Sequence, residues 1–150
     1  MGSLAYQRSA SLFPNIDLHD LIGLPYKHCG RDSKTGLDCW GLVVCVYERL
    51  GLKVRDLEAY EEEGHKKGYD YFLSREDEWI KKSFPSPYDV VLFVNSAGVA
   101  YHSGVITHDL KMIHASKDKG VVIVPLNLAV KCLILDGYYK LKVNDDKSKV

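Results

Sequence analysis

No two cysteines in this chain stand in Cys-x-x-Cys spacing, and no apolar stretch approaches the length of a membrane-spanning helix. Neither sign of charge is in excess, because 20 Lys and Arg balance 20 Asp and Glu. That balance, and the lack of a basic patch interleaved with aromatics, argues against nucleic acid or an anionic membrane surface as partner. There is no internal repeat and no low-complexity tract. Residues 1–14 hold one basic residue, Arg8, and no long apolar run, so they do not read as a secretory leader. Synthesis in the cytosol is therefore expected, with export only if another assembly carries the protein. The four cysteines, Cys29, Cys39, Cys45 and Cys132, are read as thiols. A chain of 150 residues buries about 68–70% of its unfolded surface and needs no disulfide or metal to hold a core. One domain over residues 1–150 is expected, with its core at about 20–142.

What is present falls into two halves. Asn15-Ile16-Asp17 can open a short helix that Gly23 and Pro25 end. Residues 25–36 read as a loop leading to Asp38. From 38 to 50, the residues at 39, 42, 43, 46, 47 and 50 are Cys, Leu, Val, Val, Tyr and Leu, one helical stripe with Asp38 as N-cap and Gly51 as stop. Residues 53–70 are charged, with the run Glu61-Glu62-Glu63, and read as a solvated excursion. Residues 71–82 read as a second helix with Tyr71, Phe72, Trp79 and Ile80 as apolar contacts. Tyr60, Tyr69 or Tyr71 could wall a groove, although a decorating helix and loop suffices.

Strands are expected at Val90–Val94, Tyr101–Thr107, Lys111–Ser116, Val121–Val124 and Leu133–Leu141, the last with a bulge or close approach at Gly137. Short connections imply antiparallel pairing. The fold class is thus α+β, N-terminal helices packed on one face of a five- to six-stranded antiparallel sheet.

Chemistry centres on Cys39. A thiol attacks as thiolate, and a helix N-terminus or a nearby imidazolium lowers its pKa. A cysteine on an apolar stripe is also an ordinary small core residue, so position alone leaves both readings open. His19 and His65 lie in polar stretches, His108 at a turn, and His28 has no second ligand at metal spacing. His102 and His114 lie in strands. If the intervening turn holds three or five residues, paired positions sum to 218 and the two histidines share one face as diagonal neighbours. Gly104 between them would leave room for a helix end.

Leu24-Pro25-Tyr26 followed by Gly36-Leu37-Asp38-Cys39-Trp40-Gly41-Leu42-Val43 resembles the catalytic segment of NlpC/P60 cysteine peptidases. Asp89-Val90-Val91-Leu92-Phe93, His102-Ser103-Gly104-Val105-Ile106 and Met112-Ile113-His114-Ala115 extend the likeness in the same order. It covers roughly residues 20–142, and the motifs are specific in combination.

The resemblance implies a minimal papain-like fold and cleavage of peptidoglycan stem peptides between γ-D-glutamate and the following diamino acid. Cys39 would be the nucleophile, His102 the base and His114 its orienter. Tyr26 would help polarise the scissile carbonyl, Asp38 would lie near the amine-binding end, and the Cys39 N–H would serve the oxyanion. No metal or organic cofactor is expected. Wall-lytic members of the family mostly carry serine after the cysteine, where this chain has Trp40. A tryptophan there is similar to phage and prophage members, including tail-tip assembly proteins, so other tail proteins become candidate partners. Trp40 either lines the cleft or packs under the helix.

Two further readings stay open. One is a structural tail-tip protein with an idle site. The other is an amidase or acyltransferase on a non-wall substrate, although membrane-associated acyltransferase relatives often place the histidine before the cysteine.

Overall fold

The helix that starts at Cys39 forms as its pattern requires. In the computed structural model, which describes residues 13–55 and 78–142, helix α1 spans Cys39–Arg49. Asp38 caps it by accepting the Gly41 N–H at 2.7 Å, and Gly51 with φ +79° ends it in the left-handed conformation that glycine tolerates. Leu42, Val43, Val46 and Tyr47 are buried along one side. Three valines in the helix cost some intrinsic propensity, but full burial of each apolar side chain contributes about 1.5–3 kcal/mol and outweighs it.

Among the described residues eight strands follow in chain order: β1 Arg31–Asp32, β2 Gly36–Leu37, β3 Trp79–Lys82, β4 Val90–Val94, β5 Ala100–Ile106, β6 Met112–Ser116, β7 Gly120–Val124 and β8 Ile134–Leu141. β1 and β2 pair with each other, and the other six form one sheet in the order β3-β8-β4-β5-β6-β7. Every pairing between strands is antiparallel. The ladder of β4 on β8 shifts between Leu92, opposite Gly137, and Phe93, opposite Leu135. Asp136 is thus the extra residue of the bulge expected at Gly137.

One face of the sheet packs on α1, with Leu92, Val105, Ile113, Ala115 and Val121 in the same cluster as Leu42, Val43 and Val46. The other face holds Val91, Phe93, Ile106, Met112 and Tyr138, and Ala129 of a second helix, α2 at Leu126–Cys132, closes against it. The helices therefore lie on both faces, which corrects the one-sided arrangement. The signal for α2 was available: Leu126, Ala129, Val130 and Leu133 repeat at helical spacing directly after Pro125.

The helix expected at 71–82 is also corrected. Residues 79–82 are edge strand β3, paired with β8 from Trp79↔Leu141 to Lys82↔Tyr138. Trp79 and Ile80 are consecutive apolar residues, but Trp79 is 4% exposed and Ile80 is 44% exposed. That is strand alternation, with the exposed Lys81 discouraging further pairing at the edge. Residues 71–77 lie outside the described residues, as do Glu61–Glu63 and Tyr60, Tyr69 and Tyr71. The N-terminal helix shrinks to a single 3-10 turn at His19–Leu21. Among the described residues no helix is long and apolar enough to cross a membrane.

The opposite edge anchors the segment that carries Tyr26. The Gly23 N–H donates to Val121 O at 2.8 Å, and the Val121 N–H donates to Leu24 O at 2.9 Å. Gly120, with φ +76°, sits directly against Leu24 O, where any Cβ would collide. At the other side of the core, Trp79 lies edge-on to Trp40 at 6.5 Å and tilted to Tyr47 at 6.0 Å.

Trp79→Ala is expected to lower the unfolding free energy by about 3–5 kcal/mol, the usual cost of deleting a buried large aromatic. Urea denaturation followed by far-UV circular dichroism measures it. A loss under about 1 kcal/mol would mean that β3 is not an integral part of the core.

Candidate active site

Cys39 is the first residue of α1, and its immediate surroundings are set by Asp38. That carboxylate is 1% exposed. Oδ1 accepts the Gly41 N–H at 2.7 Å and the Arg31 guanidinium at 2.7 Å, and Oδ2 accepts the Cys29 N–H at 3.1 Å. Burial raises the Asp38 pKa, while the Gly41 N–H, Arg31 and the Cys29 N–H oppose the rise. Three donors aimed at the carboxylate oxygens suit the ionised form. Gly41 is required here, because a Cβ would run into Gly30 O. Cys29 meets the carboxylate from a left-handed backbone, φ +58°.

The Cys39 thiol is pushed up from its usual value, first by desolvation and then by the Asp38 carboxylate. Interactions with Ser103 and Arg31 pull it down. Burial is the larger effect at this helix start. The Gly41 N–H is spent on Asp38. The residue as a whole keeps intermediate exposure. Desolvation thus acts on the sulfur while part of the residue remains in contact with solvent.

Ser103 follows His102 on β5. The β5–β6 ladder pairs Val105↔Ile113 and Ile106↔Met112, the register that sums to 218 across a five-residue turn. Past those two pairs, the His102 and His114 rings meet, 4.9 Å between centroids and nearly perpendicular. They share a hydrogen bond between His102 Nε2 and His114 Nδ1 at 2.8 Å. Desolvation lowers the His114 pKa and favours its neutral ring. Phe93 stacks on His102 at 6.1 Å.

Gly104 does not make room for a helix end. A Cβ there would lie 2.9 Å from Met112 Cγ and 3.0 Å from Ile113 O. Its smallness lets β6 come close to β5, which in turn brings His114 to His102.

Tyr26 is held by a parallel bridge to Leu37. Its phenol is pushed up to about 12 by desolvation, then by Cys39 and Asp38. It therefore stays protonated near neutral pH and faces the negative charge of both neighbours, as a donor to an anion must. Trp40 is corrected as a substrate contact: it is 3% exposed and packs under the helix against Trp79. Among the described residues no cluster of His, Cys, Asp and Glu has the makings of a metal site.

Two neighbours of the thiol, Arg31 and Ser103, were not singled out from the sequence. Arg31 carries no local signal, because its partner Asp38 is met only when the β1–β2 hairpin folds back. Ser103 was legible in principle, as a hydroxyl at a strand position whose neighbours on that face, such as Val105, are apolar. A separate cavity of about 400 Å³ is walled in part by Ile16, Tyr88, Thr107, His108 and Ile123. It lies at the far end of β5, and none of Cys39, His102 and His114 lines it.

A family model described as the NlpC/P60 family matches residues 23–131. The NlpC/p60 domain of the peptidoglycan hydrolase SagA superposes with 22% identity and a TM-score of 0.53, over 93% of this chain and 99% of that one. A lipoprotein-like NLP/P60 family protein from Staphylococcus aureus subsp. aureus Mu50 gives 17% identity and 0.55, over 89% of this chain and 45% of that one. NlpC1 from Trichomonas vaginalis gives 17% and 0.52, over 91% and 45%. At these identities the structural likeness concerns the fold. No curated protein sequence matches the chain.

Because folded His114 holds its proton more weakly than the unfolded chain does, the unfolded state takes up protons first as pH falls. Unfolding free energy should therefore fall as pH drops below about 6.5, the ordinary histidine value. Urea titrations between about pH 5 and 8 test this. His114→Gln should show a shallower decline than the wild type, and parallel curves would contradict the neutral, desolvated ring.

Proposed function

As this chain belongs to the NlpC/P60 family, we propose that it is a cysteine endopeptidase of peptidoglycan stem peptides, cutting at the γ-D-glutamyl–diamino acid bond. The observation that carries this reading is the 2.8 Å hydrogen bond between His102 Nε2 and His114 Nδ1, formed one residue from Ser103, which pulls the Cys39 thiol down. With His114 Nδ1 accepting, His102 donates Nε2–H to it and keeps Nδ1 unprotonated. That nitrogen takes the Cys39 proton, the thiolate adds to the scissile carbonyl, and the imidazolium returns the proton to the leaving amine. Water then hydrolyses the thioester with His102 again as base. The raised thiol makes the histidine pair essential, because thiolate forms only as the proton is passed on. The Cys39 N–H and the Tyr26 hydroxyl are assigned to the oxyanion, and buried Asp38, with Arg31, to the end of the cleft near the substrate amine.

Trp40 in place of serine favours the phage or prophage branch of the family, with other tail proteins as partners. A second reading, a structural tail-tip protein with an idle site, draws on the burial that raises the Cys39 pKa.

Cys39→Ala should reduce release of stem-peptide fragments from purified wall by about a thousandfold or more, read by mass spectrometry of the soluble products. Undiminished release from that variant sinks the assignment. The idle-site reading is separated by alkylation near neutral pH. A working Cys39 reacts fastest of the four cysteines and loses that advantage in His102→Ala, whereas an idle one is slow in both proteins.

A further inference from the structure

The cavity of about 400 Å³ at the far end of β5 has the volume of a small-ligand site, for which about 300–1,000 Å³ is usual. One of its walls is an open strand edge. Val121 turns both backbone groups away from β6: its N–H donates to Leu24 O, and its C=O accepts the Gly23 N–H. Ile123 stands two residues further along β7, opposite Ile113 in a ladder without register shift. Its N–H and C=O therefore point the same outward way. The next hairpin agrees. The Thr107 N–H donates to Lys111 O, so by alternation Ile113 spends its backbone groups on Val105 and not on β7. Among the described residues neither backbone group of Ile123 has a partner. The Ile123 side chain, 37% exposed, lines the cavity together with that of Ile22, 41% exposed. Tyr88 also lines it and is 1% exposed. Its hydroxyl accepts the Ile16 N–H at 3.1 Å, while its own proton has no acceptor among the described residues. The acidic residues of the wall are Asp17 and Asp109, and among the described residues no Lys or Arg lines it. Asp17 Oδ1 accepts the His19 N–H at 2.9 Å. Asp109 Oδ1 accepts the Thr107 hydroxyl at 2.6 Å, and Lys111 Nζ stands 3.6 Å from Oδ2.

We propose that this cavity binds an extended peptide segment with a lysine-like ammonium side chain, added to the open edge of β7 at Ile123. One peptide residue donates its N–H to Ile123 O and accepts the Ile123 N–H, the pairing by which a strand joins a sheet edge. The Tyr88 hydroxyl donates to a peptide carbonyl, which gives its buried proton an acceptor. Ile22 and Ile123 cover the apolar stem of the side chain, and the Asp17 and Asp109 carboxylates receive the ammonium. Each unpaired group of the wall thus meets its complement in a single ligand. A small free amine would satisfy the carboxylates and leave the strand edge open, and an anionic ligand would meet the carboxylates with like charge. None of Cys39, His102 and His114 lines the cavity, so the proposal does not depend on how Cys39 acts. Occupancy would hold a peptide-bearing partner on the chain without cutting it.

The test is a titration of the isotope-labelled full chain with the tripeptide Ala-Lys-Ala, blocked at both ends, followed by backbone amide chemical shifts. Saturable shifts are expected at Ile16, Thr107 and Ile123, and equally in Cys39→Ala protein. The same peptide N-methylated at each amide should bind about fivefold to tenfold more weakly, because it cannot donate to Ile123 O. Ala-Glu-Ala should bind at least about tenfold more weakly than the lysine peptide. Asp17→Asn combined with Asp109→Asn keeps the acceptors used by His19 and Thr107, and should weaken the lysine peptide about threefold to tenfold. Tyr88→Phe, whose ring still fills the core, should weaken it about threefold. Absence of a saturable shift overturns the proposal, as do shifts confined to the surroundings of Cys39 and His102, which would place the peptide in the catalytic cleft instead. Equal binding of the N-methylated peptide overturns the pairing with β7, and equal binding of Ala-Glu-Ala overturns the role of the carboxylates. None of these readouts needs hydrolysis. Wall cleavage that persists in Cys39→Ala would refute the peptidase mechanism, whereas unmoved amides at the cavity would refute only this second site.

Discussion

The buried carboxylate of Asp38 is the constraint on which the site depends. It accepts the Gly41 N–H, the Cys29 N–H and the Arg31 guanidinium at once. The first bond decides where α1 begins, and so makes Cys39 its first residue. The second clamps the loop before β1 from a left-handed backbone. The third ties β1 to the helix cap. An N-cap by itself contributes about 0.5–2 kcal/mol. Here the same carboxylate also satisfies a guanidinium that is only 26% exposed, so its removal would leave several donors unpaired together.

That arrangement has an electrostatic cost for the chemistry assigned to the site. Burial, together with a carboxylate beside the sulfur, disfavours the thiolate, and the Gly41 N–H of the first turn is engaged by that carboxylate. A free-standing thiolate of the kind found at an exposed helix terminus is therefore not what the surroundings favour. They favour proton transfer at the moment of attack, through an imidazole steadied by a second, neutral imidazole. Tyr26 is pushed the same way by the same charges, and its raised pKa keeps it a donor. These shifts share their causes, burial first and then the negative charge at the start of α1.

Positioning of the site comes from both edges of the sheet. β7 holds Gly23 and Leu24 through one backbone hydrogen bond each, and Gly120 permits the close approach. Gly104 performs the comparable service between β5 and β6. Trp40 and Trp79 fill the core beneath α1, so the residue after the nucleophile acts on the helix from below. Its identity bears on substrate only through the position it gives Cys39.

Local physics was enough to read α1, its cap, its stop, the four strands from Val90 to Val124 and the bulge at Gly137. Each depends on side chains a few residues apart, where periodicity, capping and turn chemistry act. The meeting of His102 with His114 was legible for the same reason: a hairpin turn of known length sets the register. Neighbours distant in sequence were not legible. Trp79 became a strand residue because β8, some sixty positions later, supplies its partner. Trp40 became buried because Trp79 covers it, and Arg31 found Asp38 only through a hairpin that reads as plain loop. The direction of the Cys39 pKa was decided last of all. Desolvation is a sum over everything that surrounds the sulfur, and no short stretch of chain contains that sum.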